Sequence, residues 1–207
     1  MEILGTLGRD VRSLALLPAA FHPPTRAHEA LLRAALAHCD AVIAVLARQL
    51  PHKDYGAVGL EQRLEMVRPM LGDNMAAAVS AGGLFYEIAR EAREHFPEAR
   101  VHLVCGRDAA ERIVGWQYKG QPAIEEQLRE FRLLVAARGG EFTAPDALRE
   151  CVAALALDGE FDAVSSTEVR ERMAAGEPWE HLVPSASTEL VRRYYSPLVF
   201  SRNARNL

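Results

Sequence analysis

Short apolar runs alternate with longer amphipathic stretches along most of this chain. The runs Leu14–Ala20, Ala41–Ala47, Ala76–Ser80, Val101–Cys105 and Phe131–Ala137 predict buried strands. Between them, Thr25–His38, Leu60–Leu71 and Leu84–His95 repeat apolar residues at helical spacing. The last of these stops before Pro97, which a helix interior rejects. Further on, Pro145–Leu157 reads as a helix, Asp162–Ser165 as a short strand end, and Thr167–Ala175 and Ser187–Tyr195 as closing helices. Gly115–Gln127 reads as a loop. Strand–helix alternation of this kind predicts right-handed βαβ units. The expected fold is therefore α/β: a Rossmann-like, doubly wound parallel sheet with helices on both faces. Residues 1–207 read as one domain, with a small C-terminal helical part at about 166–207. Ligands of such sheets bind beyond the carboxyl ends of the strands, so chemistry is sought just after each run.

Composition narrows the class. Hydrophobic residues make up 49% and charged residues 25% of the 207, as in ordinary globular proteins, which excludes a disordered chain. The net charge of −4 argues against a nucleic-acid polymer as partner, yet a local basic pocket can still take an anion. Cys39, Cys105 and Cys151 are widely spaced and form neither a disulfide frame nor a zinc motif, and no metal site held by protein ligands is expected. With no membrane-length apolar run and no signal pattern, the expected location is the cytoplasm. A homo-oligomer is allowed. The basic residues are 22 Arg and two Lys, so Lys53 and Lys119 stand out.

After the first run comes Pro18-Ala19-Ala20-Phe21-His22-Pro23-Pro24-Thr25-Arg26-Ala27-His28. The prolines hold the chain extended and release it into a helix. Thr25 and His28 are three apart, so at a helix start they share a face. Free N–H groups and partial positive charge there suit phosphate; a plain Thr cap beside an exposed His is the simpler alternative. Far downstream, Val164-Ser165-Ser166-Thr167-Glu168-Val169-Arg170 combines a cap, hydroxyls and a guanidinium one turn in.

Together these segments resemble the two signature motifs of the nicotinate/nicotinamide mononucleotide adenylyltransferase family, within the nucleotidyltransferases that carry [His/Thr]-x-Gly-His. The flanking Gly176, Leu182-Val183-Pro184, Pro51-His52-Lys53 and the Gly59–Val67 helix resemble the same family. Two departures stand out: Pro18-Ala19-Ala20 replaces the usual glycine-rich opening, and Ala27 replaces the glycine before His28. The resemblance implies that His28, Thr25, Lys53 and Arg170 carry catalysis. It implies ATP contacts from Ala20, Phe21, Gly106, Asp108, Ser165, Ser166 and Thr167. Mononucleotide contacts would come from Trp116, Tyr86 and Arg138. Arg63 reads as a phosphate contact or as half of a structural ion pair.

The implied reaction is adenylyl transfer from ATP, carried in with Mg²⁺, to nicotinate or nicotinamide mononucleotide. Pyrophosphate leaves, and the product feeds NAD biosynthesis. The alternatives are a nucleotidyltransferase with another phosphate acceptor, and a nucleotide-binding protein that has lost catalysis. Tyr86 without the neighbouring hydroxyl usual in the nicotinate enzymes leaves the pyridine open.

Overall fold

The structure is a computed structural model that describes residues 1–8, 10–48, 58–115, 122–137, 140, 142–157 and 159–203, with backbone alone at 159 and 197–203. The strands are β1 (Glu2–Leu4), β2 (Ser13–Pro18), β3 (Ala41–Ala47), β4 (Met75–Ser80), β5 (Arg100–Gly106), β6 (Arg132–Ala136) and β7 (Val152–Leu155). The helices are α1 (Arg26–Leu36), α2 (Leu60–Val67), α3 (Phe85–His95), α4 (Arg107–Gly115), α5 (Ile124–Glu130), α6 (Ser166–Ala175) and α7 (Thr188–Asn203).

The seven strands form one sheet in the order β1-β4-β3-β2-β5-β6-β7. All neighbours are parallel except β1, which pairs antiparallel with β4. From β2 the chain steps outward through β3 to β4, then returns to the other side of β2 as β5. This is the expected doubly wound fold, and its direction reverses between β2 and β5. Ser13 lies opposite Arg100 and Leu16 opposite Leu103, so the loops leaving Pro18 and Gly106 share one crevice.

Both faces of the sheet are covered, which is why the strands read as unbroken apolar runs. Every residue of β3 is buried. Ala41, Ile43 and Val45 face the cluster closed by Ile88 and Ala92 of α3, Ala110 of α4 and Leu128 of α5. Val42, Ala44 and Leu46 face the cluster closed by Leu32 and Ala35 of α1 and Leu64 and Val67 of α2. Each fully buried Leu, Ile or Val here contributes about 1.5–3 kcal/mol. A third cluster joins the C-terminal helices to the rest: Val169, Met173, Val191 and Tyr195 pack with Ala27 of α1 and Met66 of α2.

The structure corrects three expectations. The stretch Pro145–Leu157 is not one helix. A 3₁₀ turn over Asp146–Cys151 leads into β7, whose Val152–Leu155 pair with Leu133–Ala136 of β6. Ala and Leu favour helix, but the open edge of β6 supplies backbone partners that local propensity does not foresee. Asp162–Ser165 is no strand; Val164 packs into the third cluster and Ser165 caps α6. The loop expected over Gly115–Gln127 gives way to α5 from Ile124. The three-residue β1 has no sequence signal of its own.

Candidate active site

The loop after β2 is held at successive points. Ala19 N–H extends the sheet by donating to Val45 O at 3.1 Å. The Ala20 carbonyl accepts from Arg63 Nη1 at 2.9 Å, and Arg63 Nε also donates to Gly59 O at 3.3 Å. Arg63 is 2% exposed, and these carbonyls help satisfy a cation taken out of water. Of the two readings of Arg63, this geometry favours a structural one, with backbone carbonyls as partners. Phe21 has φ +47° and no exposed surface. A bulky residue in the left-handed region costs of order 1–3 kcal/mol, and such residues cluster at functional sites. Its ring lies 4.8 Å from that of His28, so the turn places an apolar wall against the imidazole.

Thr25 is the N-cap of α1, with extended backbone (φ −127°, ψ 164°). Its hydroxyl oxygen accepts from His28 N–H at 3.4 Å, and its own N–H donates to His28 Nδ1 at 3.0 Å. Thr25 Oγ1 lies 2.8 Å from the same nitrogen. A capping box usually has Glu or Gln at this third position; here it is His. An amide can only donate, so Nδ1 must present a lone pair. The neutral ring therefore carries its proton on Nε2. Thr25 has no exposed surface. Its polar atoms engage the cap and His28.

The second motif docks onto this loop. Ser165 caps α6 by accepting from Glu168 N–H at 3.1 Å. Ser166 Oγ donates to Pro23 O at 2.7 Å across 143 residues. Arg170 Nη1 donates to His22 O, and its Nη2 to Thr167 Oγ1 at 3.3 Å. Ser165, Ser166 and Arg170 thus act first on protein groups. A second hydroxyl reaches the loop from α7: Tyr195 Oη hydrogen-bonds His22 Nδ1. Spacing alone singled out neither Tyr195 nor the role of Arg63, because their partners lie 173 and 43 residues away.

Across the crevice, β5 ends at Gly106 and α4 begins at once. A Cβ built on Gly106 would meet no protein atom within 4 Å. The fold does not demand glycine there. Asp108, in the first turn of α4, has a side chain 85% exposed. Tyr86 stands in the first turn of α3, with the Arg90 guanidinium 5.8 Å from its ring centre. The loop before it is tied by Glu91, which accepts from Ser80 Oγ at 2.9 Å and from the N–H groups of Ala81 and Gly82. Burial pushes the Glu91 carboxyl up, but these donors outweigh it and hold the group below its ordinary value.

Lys53, Trp116 and Arg138 lie outside the described residues. Among those described, no three His, Cys, Asp or Glu side chains are grouped to hold a metal ion. No helix among them is long and apolar enough to cross a membrane. A cavity of about 430 Å³ lies among Met173, Pro178, Trp179, Arg192 and Tyr195 in the C-terminal part. It is not lined by the β2 or β5 loops, where the polar groups of the two motifs converge.

Residues 16–172 match the family described as cytidylyltransferase-like. A probable nicotinate-nucleotide adenylyltransferase of Gloeobacter violaceus is 32% identical over 198 residues, spanning 87% of this chain and 93% of its own. Another, of Exiguobacterium sibiricum, is 26% identical over 191 residues, spanning 87% and 96%. Among solved structures, the nicotinic acid mononucleotide adenylyltransferase of Plasmodium falciparum complexed with NaAD matches with a TM-score of 0.70. It covers 89% of this chain and 96% of that one at 14% identity, a likeness of fold.

Proposed function

The chain belongs to the cytidylyltransferase-like family of nucleotidyltransferases, and from that premise we propose that it transfers AMP from ATP to nicotinate mononucleotide. The 5′-phosphate oxygen of the mononucleotide attacks the α-phosphorus of ATP. The bond from that phosphorus to the bridging oxygen breaks, and pyrophosphate leaves. The nucleophile is already an anion, so the protein's work is positioning and charge stabilisation.

The observation that carries this reading is the Thr25–His28 capping box at the reversal point of the sheet. It holds the imidazole with Nδ1 as acceptor and keeps the proton on Nε2. We assign that Nε2–H to the α-phosphate as charge develops there. The start of α6 and Arg170 face the triphosphate, and Gly106 and Asp108 the adenosine. Tyr86, Trp116 and Arg138 serve the mononucleotide, and Lys53 the phosphates. Mg²⁺ enters with ATP and screens its charge. Nicotinate is favoured as the pyridine because the relatives above are named for it.

The test is to incubate the protein with Mg-ATP and either nicotinate or nicotinamide mononucleotide, and to measure pyrophosphate and dinucleotide. The expected result is rapid, stoichiometric product with nicotinate mononucleotide. Turnover confined to nicotinamide mononucleotide would overturn the acceptor, and ATP binding with no turnover on either would overturn the reaction.

A further inference from the structure

Tyr195 is 4% exposed and sits on α7, in the cluster that joins the C-terminal helices to α1 and α2. An apolar cluster has no use for a hydroxyl, and a buried hydroxyl needs a partner. Here the partner is His22 Nδ1, in the loop that leads from β2 to His28. The two rings also stack obliquely, 5.3 Å apart. The same residue, His22, offers its carbonyl to Arg170, and its neighbour Pro23 offers its own to Ser166. The loop is thus gripped from α6 by its backbone and from α7 by a side chain. Burial pushes the Tyr195 hydroxyl above its ordinary value, against the opposing influence of the nearby Arg170 and Arg63 guanidiniums. It is therefore neutral at physiological pH.

We propose that Tyr195 is a positioning residue for adenylyl transfer: it holds His22, and through His22 the approach of the loop to His28, in the reactive arrangement. This rests on the function proposed above. The effect belongs in turnover rather than substrate affinity, because the loop is held before substrate arrives and its error is felt where reacting atoms must align.

The experiment is a double-mutant cycle with Tyr195→Phe and His22→Ala. Tyr194→Phe is the control, since that neighbouring hydroxyl pairs with Glu65 on the surface. Phe keeps the ring and its packing, so the fold survives. Each single change is expected to lower kcat about 3- to 10-fold with KM little changed, as loss of one net hydrogen bond in the transition state would. The double variant should lose no more than the worse single, and Tyr194→Phe should match the unaltered protein. Amide hydrogen exchange over residues 19–28 should quicken in Tyr195→Phe. Additive losses in kcat, or a Tyr195→Phe protein with unaltered kcat, would overturn the proposal. If the unaltered protein makes no dinucleotide, the function fails, and exchange alone decides the contact: unchanged exchange over 19–28 overturns it too.

Discussion

Two helices in this protein begin with the same device and do different work. α1 is capped by Thr25 and α6 by Ser165, each accepting from the N–H three residues on. At α6 the third residue is Glu168, and its carboxylate turns to Arg172 on its own helix. At α1 the third residue is His28, and its ring turns back to the cap. The first arrangement is an ordinary helix start with a hydroxyl to spare for the neighbouring loop. The second fixes a tautomer. A capping hydroxyl is thus no sign of function by itself, and what matters is the chemistry of the residue that answers it.

The comparison breaks most sharply at His28. His28→Ala is expected to lower kcat about 10²- to 10³-fold, the usual loss for one donor to a developing oxyanion. His28→Gln restores a capping box, so thermal melting should return near that of the unaltered protein while turnover stays low. A Gln variant with recovered turnover would reduce His28 to a cap. Next comes Arg170, which ties the start of α6 to the loop before α1. Arg170→Ala should cost about tenfold in kcat/KM, as loss of a charge-assisted hydrogen bond does. Arg170→Lys should not rescue it, because a single ammonium cannot serve His22 O and Thr167 Oγ1 in a fixed fork.

The caps themselves give smaller effects, and they should separate. Thr25→Ala removes about 1 kcal/mol of stability, which is a fall of about 2–4 °C in melting temperature for a chain of this size. It should also slow turnover, because the His28 ring keeps the amide at position 25 but loses the Oγ1 contact that helps to orient it; Thr25→Ser should restore both. Ser165→Ala is expected to lower melting by a similar amount with kcat changed less than twofold. If Ser165→Ala slowed turnover as much as Thr25→Ala, the two helix starts would be equivalent and the contrast would fall.

The sheet was readable because strands buried on both faces must be apolar at every position, as β3 is, and because helices covering one face must repeat every three to four residues. The pairing of Thr25 with His28 was readable for a related reason: three residues apart at a helix start fixes their proximity. β7 was not readable, because Val152–Leu155 become a strand only when the β6 edge is there to pair with them. Nor was β1, too short to show a period.

By itself, then, the sequence determined the alternation of strands and helices, the two capped helix starts and the candidate imidazole, all consequences of local spacing. Tertiary structure alone decided what each group touches. It buried Thr25 and turned it onto His28, put Arg63 beneath the Ala20 carbonyl, laid Arg170 and Ser166 on the loop before α1, and brought Tyr195 to His22. Apart from the cap, these contacts join residues far apart in the chain, and no local pattern encodes them: they exist because the doubly wound sheet carries its loops to one end, where C-terminal helices can pack against the first of them.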